Sequence, residues 1–284
     1  MIVVADSGST KTDWLILSNT KDIEFKTKGI NPFFLDKNDV KADILAQFPS
    51  NVKITQIDTV YFYGPACSTP ERCNIVHTAL ETIFSKAQIF VDSDLTGAAR
   101  ALFQNKSGIA CILGTGSNSG LYDGKNIIDN ITSTGYILGD EGSGAHLGLE
   151  LIKKIINHQL EESTEELFYK TYNLSPEQII DKVYKEPYPN RFLASFAPFI
   201  SKNIDAIPSL KKIASDSFTA FIDIHVLPYK NAQSEPIALV GSIAFYFKDL
   251  IQEIASQKKL RITKIISNPI YDLAKYHKIN IYEA

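Results

Sequence analysis

The chain has 284 residues, of which 44% are apolar, enough to bury a large core in one large domain or in two. Its 29 basic and 32 acidic residues give a net charge of −3 without a long run of one sign, which argues against a nucleic-acid or membrane-surface partner. The three cysteines form no C-x-x-C pair and the five histidines are scattered, so we expect neither a disulfide framework nor a dedicated metal site built from histidines.

The first third of the chain predicts a hairpin and a third strand, followed by alternating strands and helices. Short apolar runs at 2–5 and 14–17 flank a polar loop, and residues 22–27 alternate polar with apolar side chains. Further strands are predicted at 60–63 and 88–91, and helices at about 40–48, 71–84 and 96–103. This order is typical of a mixed α/β fold.

After a polar turn at 104–108 the same plan starts again. A strand at 109–113 leads into the turn 114–119, and a return strand opens at Leu121. The segments A-D-S-G-S-T and L-G-T-G-S-N thus occupy equivalent places, which indicates a structural duplication with a cleft between the halves. The remaining predicted elements are a helix opened by 139–144 and running to about 160, helices at 190–200, 210–226, 242–257 and 271–276, and strands at 237–240 and 264–266.

Two turns rich in Gly, Ser and Thr have the composition of phosphate sites, because Gly allows close approach to the backbone and the hydroxyls add donors. Taken alone, S-G-S-T is more typical of an ordinary hairpin turn, and no G-x-x-x-x-G-K-[ST] or G-x-G-x-x-G motif occurs. The repetition of this chemistry favours a polyphosphate site. A third Gly–Ser pair, at Gly241 and Ser242, stands between a strand and a helix, where amides can approach a nucleotide.

Carboxylates follow three of the predicted strands or turns. Asp6 ends the first strand, where it is suited to hold a hydrated Mg²⁺ or to cap the turn. Asp92 and Asp94 follow the strand Q-I-F-V, and one of them is either a general base for an alcohol nucleophile or a helix cap. Asp140 and its neighbour Glu141 precede another helix, and they bind sugar hydroxyls or favour the helix dipole.

Together these motifs resemble a known family. The segments D-S-G-S-T-K-T-D, V-D-S-D-L-T-G-A-A, I-L-G-T-G-S-N-S, G-D-E-G-S-G and L-V-G-S, in this order, are similar to those of the N-acetylglucosamine kinase and BadF/BadG-type branch of the sugar kinase, Hsp70 and actin superfamily. The resemblance implies an α/β fold of two RNase-H-like (actin-like ATPase) domains with an ATP cleft between them. We expect the first domain at 1–106, completed by a terminal helix within 270–284, and the second at 107–269.

The resemblance also implies site residues for ATP and Mg²⁺. Asp94 is the expected catalytic base, because D-L-T-G-A follows it, and Asp6 is the expected Mg²⁺ ligand. The expected nucleotide-binding residues are Gly8, Ser9, Thr10, Lys11, Gly114, Thr115, Gly116, Gly241 and Ser242. The expected sugar-binding residues are Asn31, Ser117, Asn118, Ser133, Thr134, Gly135 and Asp140. Human-type members have a Trp-Gly-His segment before G-D-E-G-S, where this chain has T-G-Y-I-L.

The expected function is an ATP-dependent amino-sugar kinase that phosphorylates N-acetylglucosamine or N-acetylmuramic acid on the 6-hydroxyl, in cell-wall recycling. No apolar run is long enough to span a bilayer and no signal peptide opens the chain, so a cytoplasmic location is expected, and the family suggests a homodimer.

Two alternatives remain open. One is an ATP-driven activase that passes an electron from an iron–sulfur cluster to a dehydratase; Cys111 stands near the cluster ligand of that class, but no Cys follows it. The other is a sensor that binds nucleotide and sugar without turnover.

Overall fold

The computed structural model describes residues 1–18, 21–30, 37–65, 67 and 69–282. The chain divides into two compact units. The first unit comprises Met1–Ala110, Tyr122–Ile128 and Asn268–Ala284, and the second comprises Cys111–Leu121 and Asp129–Ser267. No described helix is both long enough and apolar enough to cross a bilayer.

The first sheet has five strands in the order β3-β2-β1-β4-β5. Its strands are β1 (Ile2–Ser7), β2 (Lys11–Leu17), β3 (Ile23–Lys28), β4 (Thr59–Gly64) and β5 (Gln88–Ser93). The pairs β1–β2 and β2–β3 are antiparallel, whereas β1–β4 and β4–β5 are parallel. Helices of the same unit are α1 (Lys37–Gln47), α2 (Pro70–Glu81), α3 (Asp94–Phe103) and the terminal α13 (Ile270–Tyr282), with a short 3₁₀ turn at Ile54–Gln56.

Both faces of this sheet are covered, and the central strand β1 is therefore apolar on both sides. Val3 packs on one face with Trp14 and Phe62, in a core that also holds side chains of α1 and α2. Val4 packs on the other face with Tyr63 and with Leu273 of α13. The uninterrupted run I-V-V-A thus forms the buried part of the strand that carries Asp6 near its end.

The second sheet also has five strands, in the order β10-β9-β6-β7-β8. Its strands are β6 (Gly108–Leu113), β7 (Ser117–Tyr122), β8 (Ile127–Ile131), β9 (Ile237–Val240) and β10 (Ile262–Ile266). Helices of the second unit are α4 (Gly135–Leu138), α5 (Gly144–Ile156), α6 (Glu162–Tyr172), α7 (Pro176–Tyr184), α8 (Pro189–Ala194), α9 (Ala197–Asn203), α10 (Pro208–His225), α11 (Ser242–Tyr246) and α12 (Lys248–Gln257). Helix α10 packs against both α5 and α12.

The two sheets have the same strand order when each is numbered from its own first strand. In both, the first strand is central, the second and third follow on one side, and the fourth and fifth follow on the other. The α/β fold class and the duplication of plan expected from the sequence are confirmed.

Several element boundaries differ from the prediction, for identifiable reasons. The return strand of the second half begins at Ser117 rather than Leu121, because the turn closes early through a 3.0 Å hydrogen bond from Gly114 N to Gly116 O. The helix expected at 190–200 is two helices, and Pro198 in the first turn of α9 disfavours helical backbone just before it. Strand β8 was missed because its central residues are exposed and carry little apolar pattern.

Candidate active site

The first predicted phosphate loop is the tight turn between β1 and β2. Gly8 N donates to Lys11 O at 2.9 Å, and Gly29 N donates to Thr10 O at 3.1 Å. A Cβ atom on Gly29 would lie 2.3 Å from Gly8 O, so only glycine lets the end of β3 support the turn. Sequence reasoning missed Gly29, although a glycine directly after a strand was a usable signal.

Two carboxylates flank this turn on one face of the first sheet. Asp6 and Asp13 are direct partners across the antiparallel β1–β2 pair, and cross-strand partners share a face. Asp13 is buried, and its Oδ2 accepts hydrogen bonds from Lys11 Nζ at 2.6 Å and from Asn268 Nδ2 at 2.9 Å. Lys26 Nζ lies 3.6 Å from the other oxygen of Asp13. The two lysines thus offset the negative charge of Asp13, and the Asn268 amide donates a hydrogen bond to it. Asp13 in turn holds Lys11 beside the loop.

Among the described residues, Asp6 has no comparable set of donors. Burial, followed by the charges of Asp94 and Asp13, raises its pKa to about 7, although Lys11 acts in the opposite direction. A nearby cation would stabilise the ionised form of a carboxylate in this position, and Mg²⁺ prefers oxygen ligands.

The donor set around Asp6 fits Mg²⁺ rather than a metal held by protein alone. Within the described ranges, no group of three or more His, Cys, Asp or Glu side chains is placed to hold a metal ion. Magnesium commonly uses one or two carboxylates and completes its shell with water and substrate phosphates.

Asp92 and Asp94 have different surroundings. Ser93 is the N-cap of α3, since its Oγ accepts from Thr96 N at 3.1 Å, so neither aspartate is needed as the cap. Asp92 Oδ2 lies 3.5 Å from Arg100 Nη1, in an ion pair. Asp94 begins the helix, and its Oδ1 accepts from Leu95 N at 2.8 Å. Burial raises the pKa of Asp94 to about 6, despite the backbone hydrogen bonds that lower it.

In the second unit, the loop after β6 is fixed to the start of α5. Gly144 N donates to Gly114 O at 2.8 Å, and Ala145 N donates to Thr115 O at 3.1 Å. Ser143 caps this helix through a 3.1 Å hydrogen bond from His146 N. The predicted phosphate residues Gly114, Thr115 and Gly116 are thus held in a defined turn.

Asp140 lies beside this loop. Its side chain is buried, and its backbone adopts the left-handed conformation, with φ +57°. Its Oδ1 accepts from Ser117 N at 3.4 Å and from Ser133 Oγ at 3.1 Å. The structure therefore brings three of the predicted sugar-binding residues together. Burial raises the pKa of Asp140, against these two hydrogen bonds.

The other predicted sugar-binding residues are placed as follows. Asn118 Oδ1 accepts from Asn130 Nδ2 at 3.2 Å, which orients the Asn118 side chain on β7. Thr134 is exposed, and Gly135, at φ +79°, begins the short helix α4. Asn31 lies outside the described residues.

Ser119, Tyr229 and Asn130 support this region and were missed by sequence reasoning. Ser119 Oγ lies 2.9 Å from Tyr229 OH, and Tyr229 OH also accepts from Ile131 N at 3.0 Å. Asn130 Nδ2 donates to Ser119 O at 2.6 Å. They join β7 and β8 to the segment after α10, and nothing in their local sequence marks them.

The third predicted nucleotide element is the junction of β9 and α11. Gly241 has φ +125°, a conformation that favours glycine, and its N–H donates to Ile266 O at 3.0 Å. A Cβ atom there would lie 2.2 Å from Leu113 O. Gly241 thus lets this junction approach the end of β6, and Ser242 follows it as an exposed first residue of α11.

Among solved structures, the chain is 40% identical to the "putative N-acetylglucosamine kinase" of Porphyromonas gingivalis, with a TM-score of 0.94 and coverage of 99% of this chain and 100% of that one. A "putative N-acetylglucosamine kinase" of Chromobacterium violaceum is 14% identical, with a TM-score of 0.71 and coverage of 97% and 98%. A ROK family glucokinase of Streptomyces griseus, in complex with glucose and AMPPNP, is 11% identical, with a TM-score of 0.60 and coverage of 96% and 98%.

The last two comparisons show a shared fold, whereas the first joins high identity to full coverage of both chains. No protein-family model matches the sequence, and the search of curated proteins finds no match. The P. gingivalis match agrees with the ordered motifs, the repeated strand order and the two Gly-hydroxyl turns. The chain therefore belongs to the N-acetylglucosamine kinase-like family of sugar kinases.

Proposed function

We propose that this protein is an ATP-dependent amino-sugar kinase that transfers the γ-phosphoryl group to the 6-hydroxyl of N-acetylglucosamine or N-acetylmuramic acid. Its 40% identity to the P. gingivalis protein supports a sugar acceptor. The turn supported by Gly29, the turn held by α5 and the Gly241 junction support a polyphosphate ligand, since each presents backbone at a tight glycine-containing turn.

The carboxylate of Asp94 is the single observation that carries the proposal. Its pKa of about 6 lies close to neutral pH, so it is largely ionised at pH 7 yet basic enough to accept a proton from a hydroxyl group. Asp94 receives the proton of the 6-hydroxyl as that oxygen bonds to phosphorus, and the bond from phosphorus to the ADP oxygen breaks. Leu95 N–H orients the carboxylate during the transfer.

The other carboxylate of the first unit has a separate role. Asp6 would hold Mg²⁺, which when bound supplies positive charge to neutralise the phosphates. Lys11, held by Asp13 at 2.6 Å, adds a fixed positive charge next to the first loop.

The second unit supplies sugar recognition. Asp140, Ser117 and Ser133 form a hydrogen-bonded group of the kind that binds sugar hydroxyls. Ile137 and Leu138 stand between Ser133 and Asp140 in the chain and are 74% and 79% exposed, respectively. Exposed apolar side chains beside a polar group suit an acetyl or lactyl substituent, which favours an N-acetylated sugar over glucose.

The structure favours neither alternative. Cys111 is fully buried in β6, where burial raises the pKa of its thiol, and no Cys follows it in the chain. The thiolate ligands of an exposed cluster need accessible surroundings that lower the thiol pKa. Cys111, the one residue that supported an activase, is therefore unsuited to bind a cluster. The raised pKa of Asp94 favours turnover over a purely sensory role.

The test is ADP release from Mg-ATP with N-acetylglucosamine, N-acetylmuramic acid, glucosamine and glucose. We expect release that depends on an N-acetylated sugar, and a loss in kcat of about 10³-fold in Asp94→Asn, within the range typical of general bases. Asp92→Asn is the matched control: this carboxylate is 42% exposed and paired with Arg100, so we expect a change of no more than about threefold.

Other outcomes point elsewhere. ADP release without sugar would indicate an ATPase, and sugar binding without ADP release would indicate a sensor. An equal loss in Asp92→Asn and Asp94→Asn would contradict the assignment of the base. Phosphorus NMR of the product would identify the phosphorylated hydroxyl.

A further inference from the structure

One face of α10 contacts the loop that carries Asp140. Ser217, Phe221 and His225 are spaced four residues apart, so they lie in a row along the helix. Gly142 N donates to Ser217 Oγ at 3.1 Å, and a Cβ atom on Gly142 would lie 2.8 Å from Phe221 Cβ. At the end of the row, His225 Nε2 lies 2.9 Å from Glu141 Oε2. The helix therefore supports the residues directly after Asp140.

The bond between His225 and Glu141 is shielded from water. His225 is 3% exposed, and the side chain of Glu141 is 19% exposed. Burial alone would raise the pKa of Glu141, but the hydrogen bond from His225, a backbone hydrogen bond of Glu141 itself and the charges of His225 and His146 together lower it. Glu141 is therefore an ionised acceptor, which assigns the proton to Nε2 of His225. Within the described part of the chain, His225 Nδ1 is buried without a hydrogen-bond partner, so the ring has one directional contact.

His225 is itself held in place through its backbone. Ser119 Oγ donates to His225 O at 2.6 Å, and the ring of His225 stacks on Phe221 with centroids 5.5 Å apart. The imidazole thus connects a fixed helix end to Glu141, and its position is set before any ligand arrives.

Asp140 needs such support because of its backbone. The left-handed conformation of Asp140 is unfavourable for a residue with a Cβ atom, and it persists only where neighbours impose it. Ser117 and Ser133 hold the carboxylate, and Ser143 N donates to Asp140 O at 3.0 Å. Glu141 is the next residue, and its side chain is anchored on α10 by His225.

We propose that His225 is a positioning residue for the sugar: by anchoring Glu141 it keeps Asp140 in the left-handed conformation that presents its carboxylate to sugar hydroxyls. This inference rests on the proposed function. The nucleotide loop has donors of its own, Gly144 N and Ala145 N at the start of α5. Loss of His225 should therefore weaken sugar binding and leave ATP binding almost unchanged.

The experiment compares His225→Phe, which keeps a ring but removes the donor, with His225→Gln, whose amide nitrogen can replace Nε2. Sugar affinity is measured by calorimetric titration with N-acetylglucosamine and with N-acetylmuramic acid in the absence of nucleotide, and KM is measured for sugar and for Mg-ATP. For His225→Phe we expect the Kd and KM of the sugar to rise about tenfold, with the KM of ATP within about twofold, since a hydrogen bond to a charged group is lost. His225→Gln should recover most of the affinity.

His158→Phe is the matched control. His158 Nδ1 lies 2.8 Å from Glu165 Oε2, a His–Glu pair in the same unit, but the His158 side chain is 79% exposed. It should leave sugar affinity unchanged.

Glu141→Gln tests the same contact from the other side, with little change of volume, and remains available if His225→Phe fails to fold. Because both substitutions break one interaction, the double variant should be no weaker than the worse single variant. Additive losses in sugar affinity would overturn the inference, as would equal losses in sugar and ATP affinity.

Failure of the proposed function is a separate result. If the wild-type protein binds sugar but does not phosphorylate it, the proposed function fails, and the sugar Kd values of the variants still decide the inference. If the wild-type protein binds neither sugar, the inference is overturned, because Asp140 then has no sugar to receive.

Discussion

The two Gly-hydroxyl turns follow equivalent strands of two sheets with the same order, yet their surroundings differ chemically. Around the first turn, Asp6 and Asp94 are carboxylates whose pKa values are raised by burial to about 7 and about 6. Around the second turn, Asp140 accepts two hydrogen bonds, and His225 lowers the pKa of Glu141. The carboxylates near the first turn thus have pKa values raised by burial, whereas those near the second turn are held by side-chain hydrogen bonds. The proposed function assigns reaction to the first pair and sugar binding to the second.

The comparison shows how a duplicated scaffold divides its chemistry. The strands and tight turns are shared because both halves must present backbone amides at the end of a central strand. The residues beyond the turns are not shared, since a general base needs an unneutralised carboxylate, whereas a binding group needs a fixed one.

The largest effect expected on substrate KM concerns the carboxylate near the second turn. Asp140→Asn removes the buried carboxylate but retains an acceptor for Ser133, so we expect the KM of the sugar to rise about 100-fold, with the KM of ATP within about threefold. Steady-state kinetics with each substrate varied in turn measures this. Asp216→Asn, at a 62% exposed side chain of the same unit, should change neither constant. A parallel rise in both KM values for Asp140→Asn would break the division of roles.

A smaller effect tests the first turn. Gly29→Ala places a Cβ atom 2.3 Å from Gly8 O, whereas in Gly8→Ala the Cβ atom would meet Lys11 O at an ordinary 3.7 Å. We therefore expect Gly29→Ala to raise the KM of ATP about tenfold, more than Gly8→Ala does, and to leave the Kd of the sugar unchanged. Nucleotide titration and kinetics compare the two variants, and a larger effect of Gly8→Ala would contradict the packing argument.

The smallest effect is on stability, with opposite signs in the two halves. The folded pKa of Asp94 is raised, so stability present below its unfolded pKa near 3.8 is lost as pH rises through about 6. At pH 8 Asp94→Asn should therefore increase the free energy of unfolding, by about 1–2 kcal/mol.

The folded pKa of Glu141 is lowered, so its contribution is present above its unfolded pKa near 4.5 and is lost as pH falls through the folded value. Glu141→Gln should therefore reduce the free energy of unfolding at pH 8, by about 1 kcal/mol. Urea unfolding of both variants at pH 8 and at pH 5, without nucleotide or Mg²⁺, measures the sign of each change in the free energy of unfolding. A change of the same sign in both variants would contradict the distinction between Asp94, which destabilises the fold when ionised, and Glu141, which stabilises it.

Much of the fold was predictable because it depends on local patterns. The run I-V-V-A predicts a buried strand before Asp6, and the strand at 237–240 is observed at the predicted residues. The repeated turn chemistry predicts the duplication that the strand order confirms. Predictions were less accurate where exposure or a turn decided the boundary, as in β8 and at Ser117.

The site was predictable only as far as its motifs extend. Asp94 and Asp92 are two residues apart and have the same chemical type, and their spacing left the base and cap roles open. The structure distinguishes them through the Ser93 cap and the Arg100 ion pair. The contribution of each predicted nucleotide- and sugar-binding residue stays a prediction until the variants are measured.

The sequence by itself determined the order of strands and helices, the two glycine-containing turns and the family, because these depend on apolar periodicity and on short runs of residues. Tertiary structure alone decided which groups support the turns. Gly29 lies 21 positions after Gly8, and His225 lies 84 positions after Glu141, so no local pattern connects them. Sheet formation and the packing of α10 bring each pair into contact, and burial then sets the pKa values that distinguish one carboxylate from another.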